Sequence, residues 1–264
     1  MSSSRVQIQR LLHVATAAAG KASTLIQSKI ECGFKVANKQ DGSFVTSVDT
    51  AVEKLIVREI HKSFPDHDVT GEEFGSSKAG SEYRWFIDPI DGTLAFQFGL
   101  PFYGTIISLC YKDQPIVGVI SHPGLDRVFS AFRGGGAYRD GKKIKIKDVS
   151  PGRVKAELIA TGDRYQFQKA GALGKYNRLL KEHSLVRTIP DCVGHTLAAE
   201  GSVGAMVDFY LSYWDLAATK LIVEEAGGKF VITGTKQLAD GRNVYNIICG
   251  KPRVVNWLLR EIFG

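Results

Sequence analysis

Apolar residues recur along this chain with two spacings, and the change of spacing organises it. From Ser4 to Ile30, the residues Leu11, Leu12, Ala15, Ala18, Ala19, Ala22, Leu25 and Ile26 fall at the period of one helix face. A second helix is predicted from Asp49 to Phe64, with Val52, Leu55, Ile56 and Ile60 on one side. Pro65 stops it, since a proline ring interrupts the helical ladder. The period then shortens. Tyr83–Ile87, Gly104–Tyr111, Ile116–Ser121 and Val128–Phe132 are β-prone runs separated by Lys-Asp-Gln, His-Pro-Gly and Gly-Gly-Gly turns. Asp140-Gly141 reads as a hairpin turn into Lys142–Lys147. Alternation there puts Lys143, Lys145 and Lys147 on one face. A lysine-guarded edge strand explains them, and a phosphate-tracking patch is the other reading.

After about Ser150, strands and helices alternate. The predicted order is strand Glu157–Thr161, a helical stretch to about Glu182, Leu185–Ile189, Thr196–Glu200, and strand Ala205–Tyr210. Helix Trp214–Ala226 follows, stopped by Gly227-Gly228 in the left-handed conformation. Strands Lys229–Thr233 and Val244–Cys249 and an amphipathic helix Arg253–Ile262 complete this α/β half. No repeat, low-complexity tract or flexible linker intervenes. An N-terminal α+β part, residues 1–148, is therefore expected to pack tightly on a C-terminal α/β part, residues 149–264.

Composition sets limits on this picture. At 264 residues, 44% hydrophobic and 23% charged, the chain can bury a full core without staples. No run approaches the roughly 18 apolar residues of a membrane span. The first twenty residues are too polar for a secretory core, so no leader is expected. Cys32, Cys110, Cys192 and Cys249 have no paired spacing, which disfavours disulfides or thiolate zinc and fits a reducing cytoplasm.

The net charge of +7 invites a nucleic-acid partner, but it is unevenly spread. Between Asp66 and Thr93 seven acids face two bases, a local charge of −5 that leaves +12 for the rest. That island carries the sharpest motif, Trp85-Phe86-Ile87-Asp88-Pro89-Ile90-Asp91-Gly92-Thr93. Tyr83–Ile87 reads as a buried strand that Pro89 ends. Asp88 and Asp91 would then sit at a strand end, able to share a cation, with the carbonyl between them as a further hard oxygen. Such ligands suit Mg²⁺ or Mn²⁺ and not zinc. Gly92 and Thr93 would open a helical turn whose N–H groups face an anion.

Three more acidic turns accompany it. In Val69–Gly75, a β-prone run ends in Glu72 and Glu73. Adjacent strand carboxylates point to opposite sides, so one of the two would join a site. Asp215 lies in the first turn of the helix after Tyr213-Trp214, and Asp49 lies at the head of the second helix, after Val45-Thr46-Ser47. Each of the two also reads as a plain helix cap. Together, carboxylates converging from several strand ends and helix starts are what metal-assisted phosphoryl chemistry requires.

The order VTxxD, GEE, WxIDPIDGT, WDxAA and EEAGG resembles the inositol monophosphatase superfamily of Mg²⁺-dependent, lithium-sensitive phosphatases. The resemblance runs from the first helix to about Gly250. It implies a layered αβαβα sandwich of the inositol monophosphatase and fructose-bisphosphatase type, a homodimer, and no membrane association. It implies two or three Mg²⁺ ions per site: a first on Glu72, Asp88 and the Ile90 carbonyl, a second on Asp88, Asp91 and Asp215, and a weaker third near Glu72. Asp49 and Thr93 would hydrogen-bond each other beside the attacking water, with Glu72 also catalytic. The Gly92 and Thr93 N–H groups would hold the phosphate. The implied reaction is direct attack of a metal-activated water on a small phosphomonoester. None of the six histidines lies in a motif, which argues against a phosphohistidine route. His195 is the nearest to a site role, and a structural role is the alternative.

Local strings separate the branches. Ala95 stands where inositol enzymes usually carry Asn, and Ala205–Leu211 lacks the Glu that contacts inositol hydroxyls in that subgroup. In contrast GEEFG, Pro101–Thr105, Asp191-Cys192-Val193-Gly194, WDLAA and EEAGG resemble the histidinol-phosphate phosphatase branch. The expected substrate is thus histidinol-phosphate, with inositol 1-phosphate next and nucleotide 3′-phosphatase or fructose-bisphosphatase activity open. Asp191 and Asp208 would meet the cationic part of the substrate. From another class, the +7 charge and the Lys143/Lys145/Lys147 face would suit a nucleic-acid or protein-binding module on the same scaffold.

Overall fold

The two spacings become two sheets with helices below, between and above them. The computed structural model describes residues 5–38, 44–76 and 80–264. Ser4, the expected start of the first helix, lies outside them. That helix, α1, runs Arg5–Cys32 and pairs with α2 (Ser47–Ser63) on one face of the first sheet. Leu11, Ala15, Ala19, Ala22 and Ile26 of α1 and Val52, Ile56 and Ile60 of α2 face Trp85, Ile87, Ile107 and Val119. Leu11 to Ile26 spans about four turns, so the stripe anchors the middle of the 28-residue helix. A two-stranded ribbon, β1 (Val36–Asn38) and β2 (Phe44–Thr46), joins the helices.

Among the described residues the first sheet has eight strands. They are β3 (Asp68–Gly71), β4 (Gly75–Ser76), β5 (Tyr83–Asp91), β6 (Gly104–Tyr111), β7 (Gln114–His122), β8 (Arg127–Phe132), β9 (Gly136–Arg139) and β10 (Lys142–Ile144), in the order β10-β9-β8-β7-β6-β5-β3-β4. Only β3 and β5 run parallel, with Gly71 opposite Ile87. A short helix, α3 (Thr93–Gln97), follows β5.

The second sheet has the order β12-β11-β13-β15-β14, from β11 (Ile159–Thr161), β12 (Val186–Thr188), β13 (Ala205–Leu211), β14 (Lys229–Gln237) and β15 (Asn243–Gly250). Its β12, β11 and β13 are parallel, as expected of strands joined by helices. Helices α6 (Asp191–Glu200) and α7 (Tyr213–Glu225) fill the space between the sheets. Residues 216–223 of α7 are all buried except Lys220, as expected of a helix covered on both sides. The outer face carries α4 (Arg164–Lys169), α5 (Leu173–Glu182) and α8 (Pro252–Glu261). The result is the expected αβαβα sandwich.

The structure corrects several sequence-based expectations. Helix α2 starts at Ser47, because Thr46 is its N-cap and Asp49 its third residue. Strand β5 passes through Pro89 to Asp91. Its parallel partner β3 ends opposite Ile87, so the missing Pro89 N–H has no ladder bond to lose on that side. The helical stretch to Glu182 splits at Gly171, which has φ +69. The strand Lys142–Lys147 stops at Ile144. Beyond it the Ile146 N–H turns to the Ala226 carbonyl at 2.8 Å and its side chain enters the central core, while Lys143, Lys145 and Lys147 stay exposed. Among the described residues no helix is long and apolar enough to cross a membrane.

Candidate active site

Strand β5 ends against the N-terminal ends of α6 and α7, and the acids of the DPID motif lie at that junction. Carboxylate oxygens of Asp88, Asp91 and Asp215 come within 4.8 Å of one another. Asp88 is 3% exposed, and its Oδ1 is buried with no hydrogen-bond partner. A buried oxygen of this kind is costly unless a cation or a proton meets it. Burial, followed by the charges of Glu72, Asp91 and Asp215, holds the Asp88 carboxyl well above the usual carboxylate range. Burial, followed by Asp91 and Glu72, does the same to Asp215. Asp91 is raised less, because His195 and the Cys192 amide oppose its burial. Three hard oxygen donors pressed together against their own repulsion fit a divalent cation such as Mg²⁺.

Each acid is held by its backbone surroundings. Asp215 is the third residue of α7 and accepts the Ser212 N–H at 2.7 Å. Asp91 accepts the Cys192 N–H from the first turn of α6 at 2.5 Å. The Glu72 N–H extends the β3–β5 ladder to the Ile87 carbonyl at 3.1 Å. Glu72 lies outside the 4.8 Å set. Its charge nevertheless acts on Asp88, Asp215 and Asp49.

The sequence reading missed Glu53, which is 1% exposed on α2. Its carboxylate accepts the Glu73 and Phe74 N–H groups at 2.9 and 3.0 Å, fixing the turn that carries Glu72. A Cβ on Gly71 would lie 1.9 Å from Glu53 Oε1, so only glycine admits that carboxylate. The available signal was an acid among the apolar residues of the α2 stripe.

Gly92 has φ +84 and caps α3. A Cβ there would lie 2.8 Å from the Phe102 carbonyl and 3.2 Å from Asp191 Oδ2. The expected helical turn at Gly92-Thr93 therefore exists and faces Asp191. Asp191 opens α6 with φ +61. Burial and then Asp91 and Asp208 push its carboxyl well up.

Two expected contacts are absent. The Asp49 and Thr93 side chains do not bond each other. Asp49 Oδ2 is taken by the Thr46 N–H at 2.8 Å and by the Thr46 hydroxyl, which together close a capping box. The Thr93 hydroxyl donates to the Ile90 carbonyl at 3.0 Å, three residues back in its own turn. Asp208 does not face a substrate space either. It is fully buried, with Oδ2 3.0 Å from His195 Nε2 and Oδ1 accepting the Phe209 N–H at 2.8 Å. Strand alternation sends it inward onto α6, since Val207 and Phe209 take the outer core. His195 in turn meets Thr219 Oγ1 at 3.1 Å, so it ties α6, β13 and α7 together.

Comparison with known proteins identifies the family of the chain. The profile of the inositol monophosphatase family matches residues 7–261. The chain is 33% identical over 226 residues to a fructose-1,6-bisphosphatase/inositol-1-monophosphatase of Aquifex aeolicus, covering 85% of this chain and 84% of that one. It is 36% identical over 212 residues to a histidinol-phosphatase of Chlorobaculum parvum, covering 80% and 81%. The solved extragenic suppressor protein suhB of Bartonella henselae superposes with a TM-score of 0.85 at 27% identity, covering 96% and 98%. A family profile that spans all but the chain's ends, with such relatives beside it, makes the chain a member of the inositol monophosphatase family of phosphatases.

Proposed function

We propose that the chain is a Mg²⁺-dependent phosphomonoesterase whose preferred substrate is histidinol-phosphate. The observation that carries the metal-dependent hydrolysis is the orphaned Asp88 Oδ1 among carboxylates within 4.8 Å. Glu72, Asp88 and the Ile90 carbonyl would hold one ion, and Asp88, Asp91 and Asp215 another. When bound, Mg²⁺ lowers the pKa of a water ligand and neutralises charge on phosphate oxygens. Glu72 and Thr93 orient the attacking water. The Gly92 and Thr93 N–H groups would take the phosphate oxygens. Asp49 acts through its charge and through holding the start of α2.

The substrate preference rests on Asp191. Its carboxylate stands beside Gly92, where the phosphate is expected, and Asp163 adds negative charge near it. Such surroundings favour an ammonium or imidazolium group over a neutral polyol. Inositol 1-phosphate is the next substrate in this reading. A turnover panel of histidinol-phosphate, inositol 1-phosphate, a 3′-phosphonucleotide and fructose bisphosphate tests it. Histidinol-phosphate should give the highest kcat/KM. A higher value for inositol 1-phosphate would remove the preference while leaving the hydrolysis intact. Full activity in excess chelator would remove both.

The exposed apolar run Leu94, Phe98, Leu100 and Phe102 beside the site supports a homodimer through this surface. The buried free thiols of Cys110, Cys192 and Cys249 suit a cytoplasmic protein.

A further inference from the structure

Helix α8 and the short 3₁₀ turn Pro151–Ala156 border an open cavity of about 460 Å³ on the outer face of the second sheet. Its volume lies in the usual range for small-molecule sites. The sheet itself separates it from the carboxylate cluster. Ile248 of β15 points to the core under α8, whereas Ile247 and Cys249 point to the core around α7, which carries Asp215.

Arg253, Asn256, Trp257 and Arg260 fall at i, i+3, i+4 and i+7, so they form one stripe of α8 along the cavity. The opposite side of the helix is fixed by buried Val254, Val255 and Leu258. Lys155 reaches in from the turn. The side chains of this wall are donors without a carboxylate. Lys229 Nζ occupies Asn256 Oδ1 at 2.5 Å, which leaves the Asn256 NH₂ to donate. Neighbouring acceptors engage only part of each guanidinium. Glu261 takes Arg260 Nε at 2.7 Å; the Val149 carbonyl takes Arg253 Nη1 at 2.6 Å, and Asp148 lies 3.8 Å from it. Each guanidinium carries five N–H donors, so most remain for a ligand.

Trp257 adds a ring to this wall. It is half-buried, with the His183 ring tilted against it at 5.5 Å and the Lys155 ammonium 6.0 Å from its centroid. An acceptor-only anion would satisfy the cations, and a planar base would use the indole. We propose that this cavity binds a nucleoside phosphate, with the phosphate on Lys155, Arg253 and Arg260 and the base against Trp257. This site is independent of the phosphatase reading.

The test is calorimetric titration of the full chain with GMP in chelator. The same titration is run with inorganic phosphate and with a single-stranded oligoribonucleotide. Wild type should bind GMP. The exposed double variant Arg253→Gln/Arg260→Gln should lose affinity on the order of tenfold or more while keeping its phosphatase turnover. Trp257→Leu should weaken GMP and leave inorganic phosphate unchanged. The proposal fails if GMP does not bind, or if the arginine pair can be removed without effect. Inorganic phosphate binding as tightly as GMP would remove the base contact and the nucleoside with it. The oligonucleotide displacing GMP at far lower concentration, with a steep salt dependence, would replace the small ligand by a nucleic-acid strand.

Discussion

Asp91 and Cys192 are 101 residues apart, yet the Cys192 N–H donates to Asp91 Oδ2 at 2.5 Å. One residue ends a strand of the first sheet and the other opens a helix that packs on the second. The bond therefore sets where the two halves meet, and it does so at the cluster of acids. A helix N-terminus is a favourable place for a carboxylate, so the contact steadies Asp91 in its charged form. It also brings Asp191, one residue earlier, against Gly92.

Asp88 sets function against stability. In chelator, Asp88→Asn should melt a few degrees higher than wild type, because it removes a buried acid from among Glu72, Asp91, Asp215 and Asp49. About 1–2 kcal/mol of relief corresponds to a few degrees in a chain of this size. Mg²⁺ should raise the melting temperature of wild type and much less that of the variant. Phosphate release by the variant should fall by roughly 100-fold or more. Thermal melts with and without Mg²⁺, beside a phosphate assay, measure all three. A variant that melts below wild type in chelator would show that Asp88 is not strained there.

Glu53 should matter to activity without touching substrate. In Glu53→Ala two backbone N–H groups of a partly buried turn lose their acceptor, at about 1–3 kcal/mol each. Turnover should drop with stability, because Glu72 belongs to the same turn. Glu53→Gln keeps one acceptor oxygen and should recover part of both. Gly71→Ala should resemble Glu53→Ala, since its Cβ would displace the same carboxylate. Urea melts and turnover on the three variants check this. Normal turnover in a destabilised Glu53→Ala would separate the turn from the site.

The sandwich and the cluster were legible because both leave periodic or local marks. The α1 and α2 stripes, the strand runs and the DPID, GEE and WD turns are patterns within a few residues. What the sequence hid depends on partners far along the chain. Pro89 ended the expected strand because a strand interior usually needs its N–H. Only the parallel β3, stopping opposite Ile87, makes that N–H dispensable. Asp208 was expected at the substrate because of its charge and the local motif match. Its His195 partner lies on a helix that the sequence alone does not bring near. Glu53 went unnoticed because its acceptors' donors are backbone groups, which no side-chain motif records.

Asp191 and Asp208 should separate in their effects. Asp191→Asn should raise KM for histidinol-phosphate more than for inositol 1-phosphate, because only the first brings a cation to that carboxylate. Asp208→Asn should leave the ratio of the two substrates unchanged. It weakens the buried contact with His195, so its cost should appear as lost stability of about 1–3 kcal/mol. Kinetics on both substrates and a denaturant melt distinguish the cases. An unchanged substrate ratio in Asp191→Asn would remove this residue from substrate recognition.

His122 should make stability depend on pH. It is 1% exposed, with Nε2 3.0 Å from Thr196 Oγ1 and Nδ1 3.2 Å from the Tyr103 carbonyl. Burial lowers its pKa from 6.5 to about 4. Between those values the unfolded chain takes up a proton that the folded chain refuses, so stability is lost as pH falls through that window. Above pH 6.5 both states are neutral there and the contribution is level. His122→Asn removes the titration but not the other ionising groups. The stability of wild type relative to the variant should therefore be constant from pH 8 to 7 and shrink by about 2 kcal/mol by pH 5. Urea unfolding of both proteins across that range gives the difference directly. A difference that stays flat to pH 5 would mean that the folded protein accommodates the His122 proton as readily as the unfolded chain does.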